Sequence, residues 1–329
     1  MIDFKGKNIL MFSPYGATRH YGEAIKDELL KRGAKVKGYD ERPSQNALMK
    51  IIIRFLKKRI PQIFAKYINA IIKENQGVCF DYILICRGEA FTEFTVNRLK
   101  KAFPNAQCIL YLWDILETTN VRDVIHCFDK AMSFDPYNVA SESLLKFRPT
   151  FFVPLYRSVP INAGYKYDIM FIGTLHSNRY KIINIFRAFF EKQGISSFVY
   201  LYVPSILVYM KDLICKFPYI SIAKVNFTPI SLSDTVLKMK ESKCVLDINY
   251  TNQRSLSMRA YEAMAARRKY VTTNPEIMKY DFYNENNILV VDIKKPIIPR
   301  TFIDSPFVDI DAQVLHKYSV EGLVDDLFE

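Results

Sequence analysis

Short apolar runs alternate with longer stretches of helical period along the whole chain, the pattern of parallel α/β layering. In the first half the runs predict strands at Asn8–Ser13, Ala34–Tyr39, Tyr82–Arg87, Gln107–Trp113, Ala131–Phe134 and Thr150–Pro154. Helical periods fall between them near Tyr21–Arg32, Asn46–Lys73 (with Pro61 a break inside it), Glu93–Ala102 and Asn138–Lys146. The polar segment Leu155–Lys166, with Pro160 and Gly164, reads as a linker. The rhythm then restarts, with strands at Asp168–Gly173, Phe198–Val203, Ile220–Ala223, Cys244–Ile248, Tyr270–Thr273 and Ile288–Asp292. Helices are expected near Arg179–Lys192, Ser205–Lys216, Ser233–Ser242, Ser257–Arg267, Glu276–Tyr283 and Val320–Phe328. Nearly continuous apolar strands imply sheets covered on both faces. The expected fold is α/β: two Rossmann-like doubly wound parallel-sheet domains facing a central cleft, where ligands bind beyond the carboxyl ends of the strands. The expected divisions are residues 1–157, residues 158–315 and a terminal helix over 316–329 that returns to the first domain.

A length of 329 residues suits two domains. No apolar run reaches the eighteen residues of a bilayer span, and the first residues lack the pattern of a secretory signal. Cys79, Cys86, Cys108, Cys127, Cys215 and Cys244 are scattered without the close pairing of a zinc or redox site, so buried thiols and a cytoplasmic location are expected. The net charge of +12 points to an anionic partner: a phosphorylated substrate, a membrane surface or nucleic acid. No nucleic-acid motif is present, and neither half opens with Gly-x-Gly-x-x-Gly, which argues against a nicotinamide enzyme.

The stretch Gln253–Asn274 carries the most chemistry. Ser255 and Ser257 are suited to a helix N-terminus, whose free N–H groups attract anions. Arg259 and Glu262 share a helix face, where a cation can hold a diphosphate and a carboxylate can accept the hydroxyls of a ribose. An ordinary capped helix with an Arg–Glu surface pair fits the same spacing. Earlier, Asp168–Lys181 runs from a strand through Gly173 and Thr174 towards His176 and Arg179, a second place for a phosphate or for the sugar. On the first half, Gly16, Arg19 and His20 follow the first strand, Glu89 the third, and Trp113 and Asp114 the fourth. Glu89, Asp114 and His20 are, in that order, the candidates for a base acting on an acceptor hydroxyl. The Asp309–Asp311 pair lies away from these loops, so no catalytic metal is expected.

Ser257-Met258-Arg259 followed by Glu262-Ala263, the Ile172-Gly173-Thr174 to Arg179 segment, and the Tyr-Leu-Trp-Asp and Ser-Phe-Asp-Pro runs resemble GT-B glycosyltransferases, nearest the CgeB-like and lipopolysaccharide-core-like bacterial groups. The resemblance implies sugar transfer from a nucleotide-sugar, with a UDP-sugar favoured and no tightly bound cofactor, onto a surface-glycan acceptor such as lipopolysaccharide or capsule. It puts the donor's ribose on Glu262 and its diphosphate on Arg259 and the Ser255–Ser257 turn. Arg254 stands where retaining members carry a first glutamate, which leaves the stereochemistry open. A sugar-nucleotide epimerase is the nearest alternative, and a non-enzymatic basic binding protein a more distant one. Lys50, Arg54, Lys57, Lys58 and Arg59, interleaved with isoleucines, form a basic amphipathic stretch suited to an anionic membrane or to packing on the sheet.

Overall fold

The computed structural model describes residues 1–16, 18–57, 59–161, 164–175, 179–207, 209–210, 221–249 and 254–329. The chain divides into two compact units: Met1–Val153 with Lys317–Glu329, and Pro154–His316.

The first unit holds a six-stranded, all-parallel sheet in the order β2-β1-β3-β4-β5-β6. Its strands are β1 (Asn8–Ser13), β2 (Lys35–Asp40), β3 (Tyr82–Cys86), β4 (Gln107–Leu112), β5 (Lys130–Ser133) and β6 (Leu145–Phe147). Central β1, β3 and β4 are buried along nearly their whole length, and their Leu, Ile and Phe side chains join Val96, Leu99 and Ile68 of the covering helices in one core. That burial on both faces is why these strands are unbroken apolar runs. The basic stretch forms two helices, Ala47–Leu56 and Pro61–Glu74, with Pro61 opening the second.

The Thr150–Pro154 run is not a strand of the sheet. Phe151, Phe152 and Val153 are buried, but the Phe152 N–H donates to Tyr318 O at 3.0 Å in an isolated bridge to the C-terminal segment. The last strand on that edge is instead β6, which overlaps the end of the expected 138–146 helix; the helix itself stops at Ser141.

The second unit has a five-stranded parallel sheet in the order β11-β10-β9-β7-β8. Its strands are β7 (Tyr167–Thr174), β8 (Ser197–Tyr202), β9 (Ser242–Asp247), β10 (Lys269–Thr272) and β11 (Ile288–Val290). The expected 276–283 helix is only the 3-10 turn Pro275–Lys279. Of the expected 220–223 strand, the described residues lie in the 3-10 turn Ile222–Lys224 and its approach. Most of the expected 205–216 helix, and Cys215, lie outside the described residues. Four of the described cysteines are buried, whereas Cys79 is exposed, contrary to expectation, at the turn leading into β3.

In both sheets the chain order reverses beside the first strand, between β1 and β3 and between β7 and β9. Such reversals are the switch points at which open α/β sheets bind ligands. No helix among the described residues is long and apolar enough to cross a membrane.

Candidate functional site

The carboxyl edge of the second sheet is built around Arg179. The first residue of the Arg179–Gln193 helix, it donates to Thr174 O at 3.1 Å and to Ile248 O at 3.0 Å, joining the ends of β7 and β9 at the switch point. No carboxylate among the described residues forms an ion pair with it. Asp247 is near enough to favour the charged guanidinium, but desolvation outweighs it and depresses the Arg179 pKa. Gly173 makes room for this arginine: a Cβ there would lie 2.7 Å from Phe171 and 3.3 Å from Arg179 Nη1. The missing side chain thus lets Phe171 and Arg179 close over the backbone at the end of β7. Thr174, half-buried, supplies its carbonyl. His176 lies outside the described residues.

Ser257 is the N-cap residue of the Met258–Ala265 helix by backbone, yet its side chain caps nothing. Its hydroxyl donates to Asp247 Oδ2 at 2.8 Å, which also accepts from the buried Tyr270 hydroxyl at 2.8 Å. The Ser257 hydroxyl is thus turned away from the first N–H groups of the helix, the groups that attract anions at helix starts. The preceding loop is held from the side. Asn274 Nδ2 donates to the carbonyls of Arg254 (3.0 Å) and Ser255 (3.3 Å), while Asn274 Oδ1 accepts from Glu276 N at 3.1 Å. Ser255 is buried and lies before the cap.

Arg259 Nη1 pairs with Glu262 Oε2 at 2.8 Å, and both lie beside the Tyr156 hydroxyl. Burial, reinforced by Glu262, pushes that phenol's pKa up, so it remains a neutral donor. This is no exposed surface pair: Glu262 is buried, and Ala260, Ala263 and Ala266 seat the helix tightly. Tyr156 is a member that sequence patterning did not single out. It lies on the 3-10 turn Pro154–Ser158, in what reads as linker.

The carboxyl edge of the first sheet carries a compact group of alternating charges. Arg87 Nε meets Asp114 Oδ2 at 2.7 Å and Arg87 Nη2 meets Glu89 Oε2 at 3.0 Å. Arg42 Nη2 donates to the same Glu89 oxygen at 2.6 Å. Glu41 lies beneath, 3.6 Å from Arg87 and 3.7 Å from Arg42, and accepts from Glu89 N at 3.2 Å. Its burial, opposed by the two arginines, lifts its pKa to about 7. Lys57 Nζ closes the group, donating to Glu89 O at 2.9 Å. Arg87 and Gly88 both adopt left-handed backbone, with φ of 73° and 72°. For an arginine that conformation costs roughly 1 kcal/mol or more and persists where its surroundings enforce it.

The structure thus brings Glu89 and Asp114 together through Arg87. Glu89 is buried, whereas the Asp114 side chain is 42% exposed. His20 reaches the same edge on the first turn of the Arg19–Lys31 helix, half-buried, its ring centroid 4.0 Å from that of Tyr21. Gly16 faces Gln45 Oε1, and Arg19 is a surface residue paired with Glu23 at 2.6 Å. Trp113 is buried against Tyr111, so it supports this edge from within.

The basic stretch needs one correction. Lys57 is buried and donates to main-chain carbonyls, so it cannot meet a membrane. Arg54 and Arg59 are exposed, while Lys58 and the side chain of Lys50 lie outside the described residues. Asp309 pairs with Arg267 at 2.7 Å and Asp311 accepts from two main-chain N–H groups, so each has a structural partner.

No family model matches the chain, and no curated protein matches it. Solved structures share its fold. HepE from Anabaena, in complex with UDP and glucose, is 13% identical over 98% of this chain and 95% of that one, with a TM-score of 0.51. A UDP-N-acetylglucosamine 2-epimerase from Methanocaldococcus jannaschii, in complex with UDP-GlcNAc and UDP, is 11% identical over 98% and 99%, with a TM-score of 0.50. A structure described as a putative UDP-N-acetylglucosamine 2-epimerase from Listeria monocytogenes gives 10%, 100%, 95% and 0.50. The two parallel-sheet α/β units are those of the GT-B fold class.

Proposed function

We propose that the chain is a glycosyltransferase that takes its sugar from a nucleotide-sugar, held by the second unit, and gives it to an acceptor held by the first. The observation that carries this reading is the carboxyl edge at β7 and β9. There a half-buried arginine that pairs with no carboxylate among the described residues stands at the switch point, Ser257 turns its hydroxyl to Asp247 rather than capping the helix it opens, and a half-buried Arg259 pairs with buried Glu262 beside Tyr156 one turn later. A diphosphate would exchange for solvent at Arg179 and the 258–265 helix, and Glu262 would turn from Arg259 to the ribose hydroxyls. UDP is the favoured nucleotide, because HepE and the M. jannaschii protein bind it. Arginine and helix N–H groups would stabilise the departing diphosphate.

On the first unit, Asp114 is the group we place nearest an acceptor hydroxyl, since its carboxylate reaches solvent while Glu89 is engaged by two arginines. A surface glycan is the acceptor class we favour, with exposed Arg54 and Arg59 available to an anionic membrane. An epimerase is a second reading, favoured by three acids gathered on one edge and by two epimerase structures of the same fold.

The test is thermal shift against UDP, GDP, CMP, ADP and their sugar conjugates, followed by product analysis. Selective stabilisation by one nucleoside diphosphate, lost in Glu262→Ala without change in the free protein's melting, is expected. A flat response across the panel removes both enzymatic readings. Epimer formed from UDP-GlcNAc without acceptor replaces transfer by epimerisation.

A further inference from the structure

The first unit carries a group of side chains that the sugar chemistry leaves unused. Glu93 opens the Glu93–Ala102 helix, held in place by the reciprocal Thr92–Thr95 capping box. His126 and Cys127 end the 3-10 turn Arg122–Cys127, which packs beside that helix. His126 Nε2 lies 3.5 Å from Cys127 Sγ and 3.8 Å from Glu93 Oε1, and all three donor atoms fall within 4.8 Å of one another.

A single ring nitrogen carries at most one proton, so it cannot donate to the sulfur and the carboxylate together. Its distance to the carboxylate exceeds that of an N–H···O hydrogen bond. In a tetrahedral zinc centre, with bonds of about 2.0–2.3 Å, neighbouring donors stand about 3.3–3.8 Å apart. Both distances to the imidazole fall in that range, and the third pair, Cys127 Sγ and the carboxylate of the exposed Glu93 side chain, lies within 4.8 Å, a gap that rotation of that side chain can close. Thiolate, imidazole and carboxylate are the donors that a borderline-soft divalent ion selects, and thiolate plus carboxylate cancel its two charges. Glu93 and His126 side chains are 62% and 54% exposed, so the ion has a path in and a side open to solvent.

We propose that Glu93, His126 and Cys127 bind a zinc-class divalent cation, its fourth position left to water. The position has a consequence for the fold. Glu93 and Asp123 both line a cavity of about 700 Å³, with Phe91, Phe94, Arg98 and Asn120 among its walls. An ion joining the helix start to the 3-10 turn would tie together two walls of that cavity. Sequence spacing could not show this site, because Glu93 is remote in the chain and the two adjacent ligands match no zinc motif.

The test uses the full chain, treated with a chelator and titrated with Co(II) and then Zn(II). Wild type is expected to take up one equivalent, to show a thiolate-to-cobalt absorption band, and to gain thermal stability with zinc concentration. His126→Gln, a change at a half-exposed position, should weaken binding by at least about tenfold with an unchanged circular-dichroism spectrum. Cys127→Ser should remove the absorption band, and Cys79→Ser should leave binding intact. Absence of stoichiometric uptake by wild type overturns the proposal, as does wild-type affinity in His126→Gln. Should Cys127→Ser fail to fold, His126→Gln decides alone.

Discussion

Glu41 has a fully buried carboxyl beside two guanidinium groups, and the balance among those neighbours sets its proton affinity. Burial favours the neutral acid and the arginines favour the anion, with a folded pKa near 7 against an ordinary value of 4.5. A raised folded-state pKa contributes stability that is fully present below the unfolded value and is lost as pH rises through the folded one. Between about pH 4.5 and 7 the wild type should therefore lose on the order of 3 kcal/mol from this residue alone. Glu41→Gln keeps the shape of the protonated form and cannot ionise. Melting temperatures of the two proteins from pH 5 to 8 should diverge, with the variant flatter. Parallel curves would mean that Glu41 titrates near its ordinary value. The group around it was only partly legible. Glu89 and Asp114 stand out as acids at strand ends, and both fall in the cluster. Lys57 reads only as part of a basic amphipathic stretch, and Glu41 and Arg42 are not singled out, because periodicity says nothing about which charged side chains turn inward.

At the scale of elements, Asn274 shows how one loop residue shapes the donor edge. Its amide bonds the carbonyls of Arg254 and Ser255, and its oxygen holds the next turn through Glu276 N. The path of the chain into the 258–265 helix thus depends on a side chain beyond β10. Asn274→Ala should cost about 1–3 kcal/mol in stability, since it strands buried carbonyls and removes a cap. It should also weaken nucleoside-diphosphate binding about tenfold by loosening the helix start, which calorimetry would read. Unchanged affinity in a destabilised variant would confine Asn274 to a structural role. The elements were legible where burial left a plain mark. β1 and the 93–102 and 320–328 helices match the apolar pattern residue for residue, and the central strands match within a residue or two. Pattern reading failed at the sheet's edge. The apolar run over 150–154 is buried without strand neighbours in the sheet: Phe152 bridges to the returning C-terminal segment and Phe151 packs edge-on against Tyr21. The true edge, β6, is three residues long with two exposed, too short to show alternation.

Over the whole molecule, the chain leaves the first unit at Val153, builds the second, and returns for Lys317–Glu329. The returning Val320–Phe328 helix belongs to the first unit's interior. Leu323, Val324 and Leu327 are buried, and Phe328 lies edge-on to Phe4 and Tyr82, each at 4.9 Å between centroids. Arg32 reaches Asp325 at 2.6 Å, and Arg148 donates to Lys317 O at 2.7 Å. At about 1.5–3 kcal/mol for each buried apolar side chain, this helix supplies an amount comparable with the net stability of a domain. Deleting residues 317–329 should therefore unfold the first unit, or lower its melting by more than about 10 °C, and leave the second unit's transition in place. Leu327→Ala, at about 2–5 kcal/mol, is the graded version of the same test. Calorimetry with and without UDP would assign the transitions, because the proposed donor groups all lie in the second unit and the ligand should raise only its transition. A single transition lost entirely on truncation would mean that the two units melt as one, and that the return of the C-terminal helix couples their stability across the whole chain.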